Sequence, residues 1–378
     1  APGRHRTLDA AVRWSYELLD ETQQRVFDRL SVFVGPFTIE AAEVVVAGDG
    51  AEGWEVLDGI LALVDKSLVV ADERATDSRY RLLETMRQFG HANLADAGVE
   101  NLYRDHYADY YAEYVLSRRS QLRGSGDIAA ATEIERELEN IRVALRQSAD
   151  DEASPRFEDL FCALYTLWNG RGRSSEGAAW AAELNRRPDL DPATRIHALD
   201  FAAAVMAQSN LAASEEMAQA AVDLSDSTGA APPLTAISAM SLCAMRHGRT
   251  EGAIAGCDRI IALAADEPDL FVRGHALSTC YAVFAICGAS DRLDDLQRDV
   301  TMLVEQLDNR YLEAMSLSGL ATHVHVTEPD RAGEFLLRAY GLNDELGNQG
   351  GNIQTAMFLA FHELRAGDSV AAAHWARR

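Results

Sequence analysis

Few side chains in this sequence have the types and spacing that catalysis or metal binding requires. His323 and His325 come nearest to a metal pair, but residues two apart on a helix point to nearly opposite sides, and no third ligand follows. Asp294 and Asp295 are adjacent acids, which is typical of a solvated helix face and not of a spaced acid and base. We therefore expect a protein that is not an enzyme.

Lysine chemistry is almost excluded by composition. Lys66 is the only lysine among 35 basic residues, and it stands in "LVDKSLV". A phosphate-binding GxxxxGK[ST] loop needs a lysine directly after a glycine. We expect no nucleotide loop and no cofactor in this chain.

The charge and cysteine content indicate a soluble, cytoplasmic protein. The formal net charge of −24 disfavours nucleic acid and anionic membranes as partners of the whole surface. The five cysteines are widely spaced and form no CxxC pair, as expected of small buried thiols in a reducing compartment. No run of 18 apolar residues and no signal segment is visible at the start, so no membrane is expected as a partner.

The first hundred residues have the element order of a winged helix. An amphipathic helix with Leu8 and Val12 is followed by a second one, which Asp20 and Gln23 begin as a reciprocal capping box. Thr38 is expected to cap a short third helix. A longer helix at about 52–66, the extended pair "SLVVA" and "RYRLL", and a helix at 85–94 complete the unit.

The charge of this winged helix disfavours DNA. The helix at 52–66 would enter the major groove, yet it carries four acids against Lys66, and the wing loop "DERATDS" carries three acids against Arg74. Phosphate neutralisation supplies most DNA affinity, so these elements would repel a duplex. The sequence predicts no direct DNA contact by this segment.

A tyrosine-rich helix follows in "NLYRDHYADYYAEYVLSRRS". Tyr103, Tyr107, Tyr110 and Tyr114 recur at steps of four, three and four, so we expect them on one face. The face could stack on a ligand or pack on the next helix with each hydroxyl reaching water at the rim, and the second interpretation is favoured.

From Pro155 onward the sequence predicts helix pairs in a solenoid. Helix-starting signals recur about 36 to 42 residues apart, the period of two-helix repeats. A small residue follows the turn inside several pairs and would let the two helices close on each other. The starts are Pro155, Pro192, Pro232, Pro268, Asn309 and Gly351, and the positions after the turns are Ala253, Ala332 and Ala372, with Leu293 in one pair. The pattern resembles degenerate tetratricopeptide repeats, whose concave face would receive a partner.

Residues 4 to 115 resemble a known family more specifically. The stretch "RHRTLDAAVRWSYELLDETQQRVFDRLSVFVGPFTIEAAEVV", then "LVDKSLVV" and "RYRLLETMRQFG", is similar to the segment after the nucleotide-binding core in STAND-type signal-transduction ATPases. These are the NB-ARC class, in particular the large bacterial LuxR-type transcriptional regulators. The resemblance implies a winged helix that packs on an upstream ATPase domain, which would hold the ATP or ADP.

The resemblance also implies site residues. The family's nucleotide-sensing Met-His-Asp motif falls on Leu82, Leu83 and Glu84, where leucine replaces the histidine and cannot donate a hydrogen bond to phosphate. Glu84 keeps a carboxylate, which could cap the next helix. Alternatively, the two leucines are core residues and Glu84 only begins a helix. Residues 4–6, which are Arg4, His5 and Arg6, are expected to face the ATPase core.

Together these patterns predict a mostly α-helical protein. A winged-helix domain with a small β-hairpin at 1–100 would be followed by linking helices at 101–150 and by an α-α superhelix of tetratricopeptide-like helix pairs at 151–378. The solenoid is expected to be truncated and the chain to be a fragment of a longer regulator. Its predicted function is regulation: the winged helix docks on the ATPase core and an unknown effector binds the solenoid. The alternatives are an autonomous helical-repeat adaptor and a DNA-binding winged-helix activator.

Overall fold

The computed structural model describes residues 11–47, 53–72, 78–151, 154–187 and 190–378. In these residues the protein is mostly α-helical and has one two-stranded sheet, as predicted. The chain forms two compact units. The first contains the described residues up to Ser117 together with Glu133–Asp151, and the second contains Arg118–Thr132 and the described residues from 154 onward. The predicted linking segment at 101–150 thus contributes helices to both units.

The first unit has the predicted winged-helix order. A helix at 11–17 precedes the named elements. These are α1 (Glu21–Leu30), α2 (Ile39–Ala47), α3 (Gly53–Asp65), β1 (Val69–Asp72), β2 (Arg79–Leu82), α4 (Glu84–Asp96) and α5 (Glu100–Leu116), with α8 (Leu138–Asp150) packed on α5.

Local hydrogen bonds explain where the first helices begin. The Asp20 carboxylate accepts from the Gln23 amide at 2.9 Å, and Thr38 Oγ1 accepts from the Ala41 amide at 3.2 Å, so both predicted caps are present. The reciprocal half of the capping box is absent. Gln23 instead uses its side-chain oxygen to accept from Lys66 Nζ at 2.7 Å, because the end of α3 lies beside the start of α1.

The wing is an antiparallel hairpin, and a further backbone bridge that the sequence did not predict joins it to a loop. Its register pairs Val69 with Leu82 and Ala71 with Tyr80. Tyr80 also forms an isolated bridge with Phe37, in which each amide donates to the other residue's carbonyl. The bridge ties the hairpin to the loop between α1 and α2.

The tyrosine helix α5 buries a different face from the one predicted. Tyr103, Tyr107 and Tyr111 are the buried tyrosines, whereas Tyr110 and Tyr114 are only partly covered. The hydroxyls of the deepest two do not reach water at a rim, because they bond to residues at the start of α8, described below. The helix is a core element of the first unit, so the packing interpretation was right and its register was wrong.

The second unit is a series of helix pairs. It begins with α6 (Arg119–Leu122) and the first part of α7 (Asp127–Arg136). The rest comprises α9 (Arg156–Ala163), α10 (Tyr165–Gly170), α11 (Ser174–Asn185), α12 (Pro192–Met206), α13 (Leu211–Thr228), α14 (Leu234–Arg246), α15 (Thr250–Ala264), α16 (Leu270–Cys287), α17 (Leu293–Leu307), α18 (Arg310–Val324), α19 (Pro329–Leu346), α20 (Gln349–Ala366) and α21 (Ser369–Trp375).

All six predicted repeat starts lie within two residues of an observed helix start. The small or apolar residues after the turns are all buried, Ala253, Ala332 and Leu293 completely. The pair predicted from Pro155 is irregular, because its first helix breaks at Leu164 into α9 and α10. Successive first helices α12, α14, α16 and α18 also pack on one another, which makes them the inner layer of the repeats.

One described helix is long and apolar enough to cross a membrane. It is α16, with a mean hydropathy of 1.4 over 18 residues, and 61% of that stretch is buried inside the protein. A core helix of stacked repeats has the same composition. All five cysteines are free thiols, and Cys287 alone is partly exposed.

Candidate functional site

The three residues at the nucleotide-sensor position lie at the end of β2 and the start of α4. Leu82 is half-buried opposite Val69, and Leu83 is 41% exposed. Leu83 is the extended residue before α4 and makes no side-chain cap. The Glu84 carboxylate does not cap the helix amides either; it accepts from Arg87 at 2.9 and 3.0 Å and from Gln88 at 2.7 Å.

The chemistry at this position is therefore limited. The hydrogen bond from Arg87 holds the pKa of Glu84 below its usual range, so the carboxylate stays ionised and engaged. Leu83 offers an exposed aliphatic surface. Leu83 can pack against an apolar surface, and Glu84 places an acid beside it. Neither side chain can donate a hydrogen bond to a phosphate. The alternative that both leucines belong to the core does not hold for Leu83.

The exposed side of α3 is a single stripe of alternating apolar and acidic residues. Trp54, Asp58, Leu61 and Asp65 recur at steps of four, three and four, and all four are exposed, Trp54 to 61%. Lys66, which follows Asp65 in the chain, donates to the Leu18 carbonyl at 3.3 Å and to Gln23. We call these four residues the α3 stripe. It has no base of its own.

The hairpin adds little positive charge beside the stripe. Arg79 forms a buried ion pair with Glu137, whose side chain is 4% exposed, and Arg87 is held by Glu84. Arg81 remains exposed on β2. Of the wing loop, 73–77 lies outside the described residues, and exposed Asp72 stands at its near edge.

A buried polar junction fastens the loop between α1 and α2 to α5 and α8. Asn140 accepts from the Gly35 amide at 2.9 Å and from the Tyr107 hydroxyl at 3.0 Å, and it donates to the Pro36 carbonyl at 2.8 Å. Beside it, the Glu137 carboxylate accepts from the Tyr111 hydroxyl at 3.2 Å. Burial raises the pKa values of both tyrosines, so both hydroxyls remain protonated donors.

Each of the two histidines singled out in the sequence has a hydrogen-bond partner within the second unit. His323 Nδ1 bonds to the Tyr281 hydroxyl at 2.6 Å, and exposed His325 lies over the carbonyl of Thr322 in its own helix. Within the described ranges, no group of three or more His, Cys, Asp or Glu side chains could hold a metal ion. Asp295 lies on the surface within 3.5 Å of Arg298, as expected of a solvated face.

The inner layer of the repeats is already covered by other parts of the second unit. Tyr165, on α10, packs edge-on against Phe201 with ring centroids 4.9 Å apart. Its hydroxyl lies 2.9 Å from His275 Nε2, and His275 stacks on Tyr311. Arg123 enters the same layer from the loop after α6. Sequence reasoning missed both Tyr165 and Arg123. The glycines of "LRGSGD" are a loop signal that could have drawn attention to Arg123.

The remaining predicted docking residues, Arg4, His5 and Arg6, lie outside the described residues. Their role stays a prediction.

Residues 19–95 match the winged helix-turn-helix domain family. The first unit therefore contains a winged helix-turn-helix domain. A Mycobacterium tuberculosis H37Rv protein provisionally named as an HTH-type transcriptional regulator is 37% identical over 177 residues, which is 47% of this chain and 20% of that protein. A Mycobacterium bovis protein of the same provisional name matches equally.

Two further proteins are similar to this chain in part. An uncharacterized Mycobacterium tuberculosis protein is 36% identical over 105 residues, 26% of this chain and 27% of its own length. A solved signal-transduction ATPase with numerous domains (STAND) from Pyrococcus horikoshii, with a tetratricopeptide repeat sensor, superposes with a TM-score of 0.46 at 11% identity. That superposition covers 95% of this chain and 56% of the other. The matched segments span only about a fifth to a quarter of the curated relatives.

Proposed function

We propose that this chain is the regulatory, non-catalytic portion of a larger transcriptional regulator of the STAND type, of the NB-ARC and LuxR-like kind that residues 4–115 resemble. In this proposal the winged helix docks on an ATPase domain that carries ATP or ADP, and the helical repeats receive an effector. The similarity to HTH-type regulators supports the regulatory role. The protein works in the cytoplasm, which its free buried cysteines favour.

The observation that carries the docking role is the α3 stripe. A helix that reads DNA needs cations near the phosphates and polar groups at the base edges. The stripe presents Trp54 and Leu61 between Asp58 and Asp65. Exposed tryptophan and leucine at helical spacing fit a protein surface, where aromatic residues supply much of the binding energy. The acids would pair with arginines on that surface.

The DNA alternative is tested by titrating this chain into a labelled 30-base-pair duplex at low salt. We expect no rise in fluorescence anisotropy, because contacts that do not neutralise phosphate give no electrostatic affinity. Saturable binding that weakens steeply with salt would contradict the proposal. Binding abolished by Arg81→Ala would assign it to the wing.

The docking role is tested in a polypeptide that also contains the ATPase domain. Trp54→Ala with Leu61→Ala should accelerate ADP release about tenfold, which corresponds to about 1.4 kcal/mol of lost docking energy. Trp14→Ala with Leu18→Ala is the matched control, because both residues are exposed apolar side chains outside the stripe. Equal ADP release rates in the stripe variant and the unmodified protein would contradict the docking role.

A second candidate is an autonomous helical-repeat adaptor. One observation favours it: the α20 helix exposes Ile353, Met357, Phe361 and Leu364 along one side. An adaptor would bind its partner without an ATPase domain. Isothermal titration of this chain alone with an effector identified for the larger protein separates the two candidates.

A further inference from the structure

The inner layer of the repeats holds a segment of the chain itself. We call residues 119–127 the strap; its sequence "RSQLRGSGD" comprises α6 and the glycine-rich turn after it. The strap belongs to the second unit, although it follows α5 of the first unit directly in the chain. Leu122, Asp127 and Arg123 are its most buried residues, 1%, 4% and 8% exposed.

Arg123 occupies a pocket with the chemistry of an arginine receptor. Its guanidinium lies 5.3 Å from the ring centroid of Phe201 and 5.5 Å from that of Phe271. It also forms an ion pair with Asp269, the residue that caps the start of α16. Two aromatic walls and one carboxylate favour the planar guanidinium over a lysine ammonium.

A second subsite lies at the start of α18. The Asp127 carboxylate accepts from the backbone amides of Arg310 at 2.8 Å and Tyr311 at 3.4 Å. Buried Asn309 donates through Nδ2 to the carbonyls of Leu122 at 3.1 Å and Gly124 at 3.4 Å. An anion and carbonyl oxygens at a helix N-terminus are stabilised by its free amides and dipole.

The strap is bound specifically, but its binding is not optimal. Arg123 Nη2 is buried without a hydrogen-bond acceptor, so part of a desolvated charge is left unsatisfied. Between the two charged subsites the strap has only Gly124, Ser125 and Gly126, which bury no large apolar side chain. The Arg123–Asp269 ion pair is only partly buried, and such a pair contributes little net stability once its desolvation is counted.

We propose that the inner layer of the repeats is a binding site for an extended peptide segment carrying arginine and, four residues later, aspartate, and that the strap occupies this site as an intramolecular competitor. The partner's segment replaces the strap, with its arginine between Phe201 and Phe271 and its acid at the start of α18. This inference names the chemistry of the effector proposed for the repeats and rests on that proposal.

Competition from the strap sets the expected affinities. A tethered segment acts at an effective concentration of about millimolar, so a free peptide binds the intact chain weakly. Weakening the strap removes that competitor. Affinity for the free peptide should then rise while the pocket residues remain in place.

The experiment uses a fluorescein-labelled peptide with the sequence of residues 117–130. We expect saturable anisotropy with the chain carrying Arg123→Ala and Asp127→Ala, and at least about tenfold weaker binding to the unmodified chain. Replacing only the peptide's arginine that corresponds to Arg123 by lysine should lower its affinity about tenfold, because lysine lacks the planar fork. Asp269→Asn in the strap-weakened chain should do the same.

A second measurement needs no substitution in the protein. Amide hydrogen exchange of residues 119–127 in the unmodified chain should accelerate when the peptide is added at several millimolar, and the lysine peptide should have less effect. Equal binding of the arginine and lysine peptides would overturn the proposal. It would also be overturned if the strap-weakened chain keeps its native circular dichroism but binds no peptide, and the peptide leaves hydrogen exchange in the unmodified chain unchanged. These measurements report only arginine recognition by the repeats. The peptide-binding proposal can therefore fail while the ADP-release test of the docking role succeeds, and the docking role can fail while peptide binding is confirmed.

Discussion

Asp200 is a buried carboxyl whose position makes the stability of the second unit depend on pH. It is 6% exposed, and its Oδ1 accepts from the Ala236 amide at 2.6 Å at the start of α14. Burial raises the pKa of Asp200 to about 7, against the opposing hydrogen bonds from α14. Because the folded-state pKa lies above the unfolded value, protonation favours the fold. This contribution is complete below about pH 4 and is lost as pH rises through 7.

Asp200→Asn isolates this effect, since asparagine keeps an acceptor oxygen and cannot ionise. The unfolding free energy of the variant minus that of the unmodified chain should grow between pH 5 and 7, by up to about 1.4 kcal/mol per pH unit. Urea unfolding at pH 5, 6, 7 and 8 measures it. A difference that stays constant across these pH values would contradict the assigned burial effect.

Asn140 is the residue on which the buried junction of the first unit depends. Asn140→Ala leaves the Gly35 amide, the Pro36 carbonyl and the Tyr107 hydroxyl without this partner. Each buried unsatisfied group costs about 1–3 kcal/mol, so we expect a loss of about 2–4 kcal/mol after partial relaxation. Thermal unfolding measures it. Asn101→Ala, at an exposed asparagine on α5, is the control and should change stability by less than about 0.5 kcal/mol.

Helix packing in the second unit depends on small residues where helices approach closely. Replacing two of its helical glycines by alanine should therefore change stability in opposite directions. A Cβ at Gly177 would lie 2.7 Å from Trp168 Cβ and 2.9 Å from Val205 Cγ1, whereas one at Gly252 would meet nothing within 4 Å. Gly177→Ala should therefore destabilise by about 1–3 kcal/mol through overpacking. Gly252→Ala should stabilise by about 0.5–1 kcal/mol through helix propensity.

Urea unfolding of the two glycine variants side by side checks both signs. Stabilisation of both would mean that helix propensity outweighs packing at Gly177, and destabilisation of both would contradict the propensity gain expected at Gly252.

The elements that sequence predicted well are those set by local chemistry. The caps by Asp20 and Thr38, the hairpin and most of the repeat starts depend on residues within a few positions of one another. The register of α5 was not predictable in this way. Tyr110 and Tyr111 are adjacent and fit the same periodicity, and Tyr111 is buried because Glu137, 26 residues later, accepts its hydroxyl.

The two candidate sites also differ in whether local sequence could predict them. The acidic and apolar character of the α3 stripe was partly visible in the sequence, since helical spacing alone places its four residues together. The arginine pocket was not, because Arg123, Phe201 and Asp269 come from three distant parts of the chain. A single arginine, phenylalanine or aspartate in a helical sequence does not indicate which distant residues it contacts.

The whole chain has an excess of acids that should make its stability depend on salt. At a net charge of −24, self-repulsion opposes the compact state, and mobile ions screen it over about 10 Å at 0.1 M. The melting temperature should rise between 20 and 200 mM sodium chloride. Choline chloride should act equally if the effect is screening and not cation binding. A melting temperature that falls with added salt would show that its ion pairs outweigh the repulsion.

The strap also determines the order in which the second unit can be completed. Arg123 meets Asp269 across 146 residues, and Leu122 meets Asn309 across 187. Helix pairs close early because their contacts are local, whereas these contacts must wait for distant chain. On a ribosome adding about 5–20 residues per second, the strap emerges roughly ten to forty seconds before Asn309 exists. During synthesis, then, Arg123 is exposed to solvent until Asp269 has been made, and the strap can be held at both ends only after Asn309 has followed.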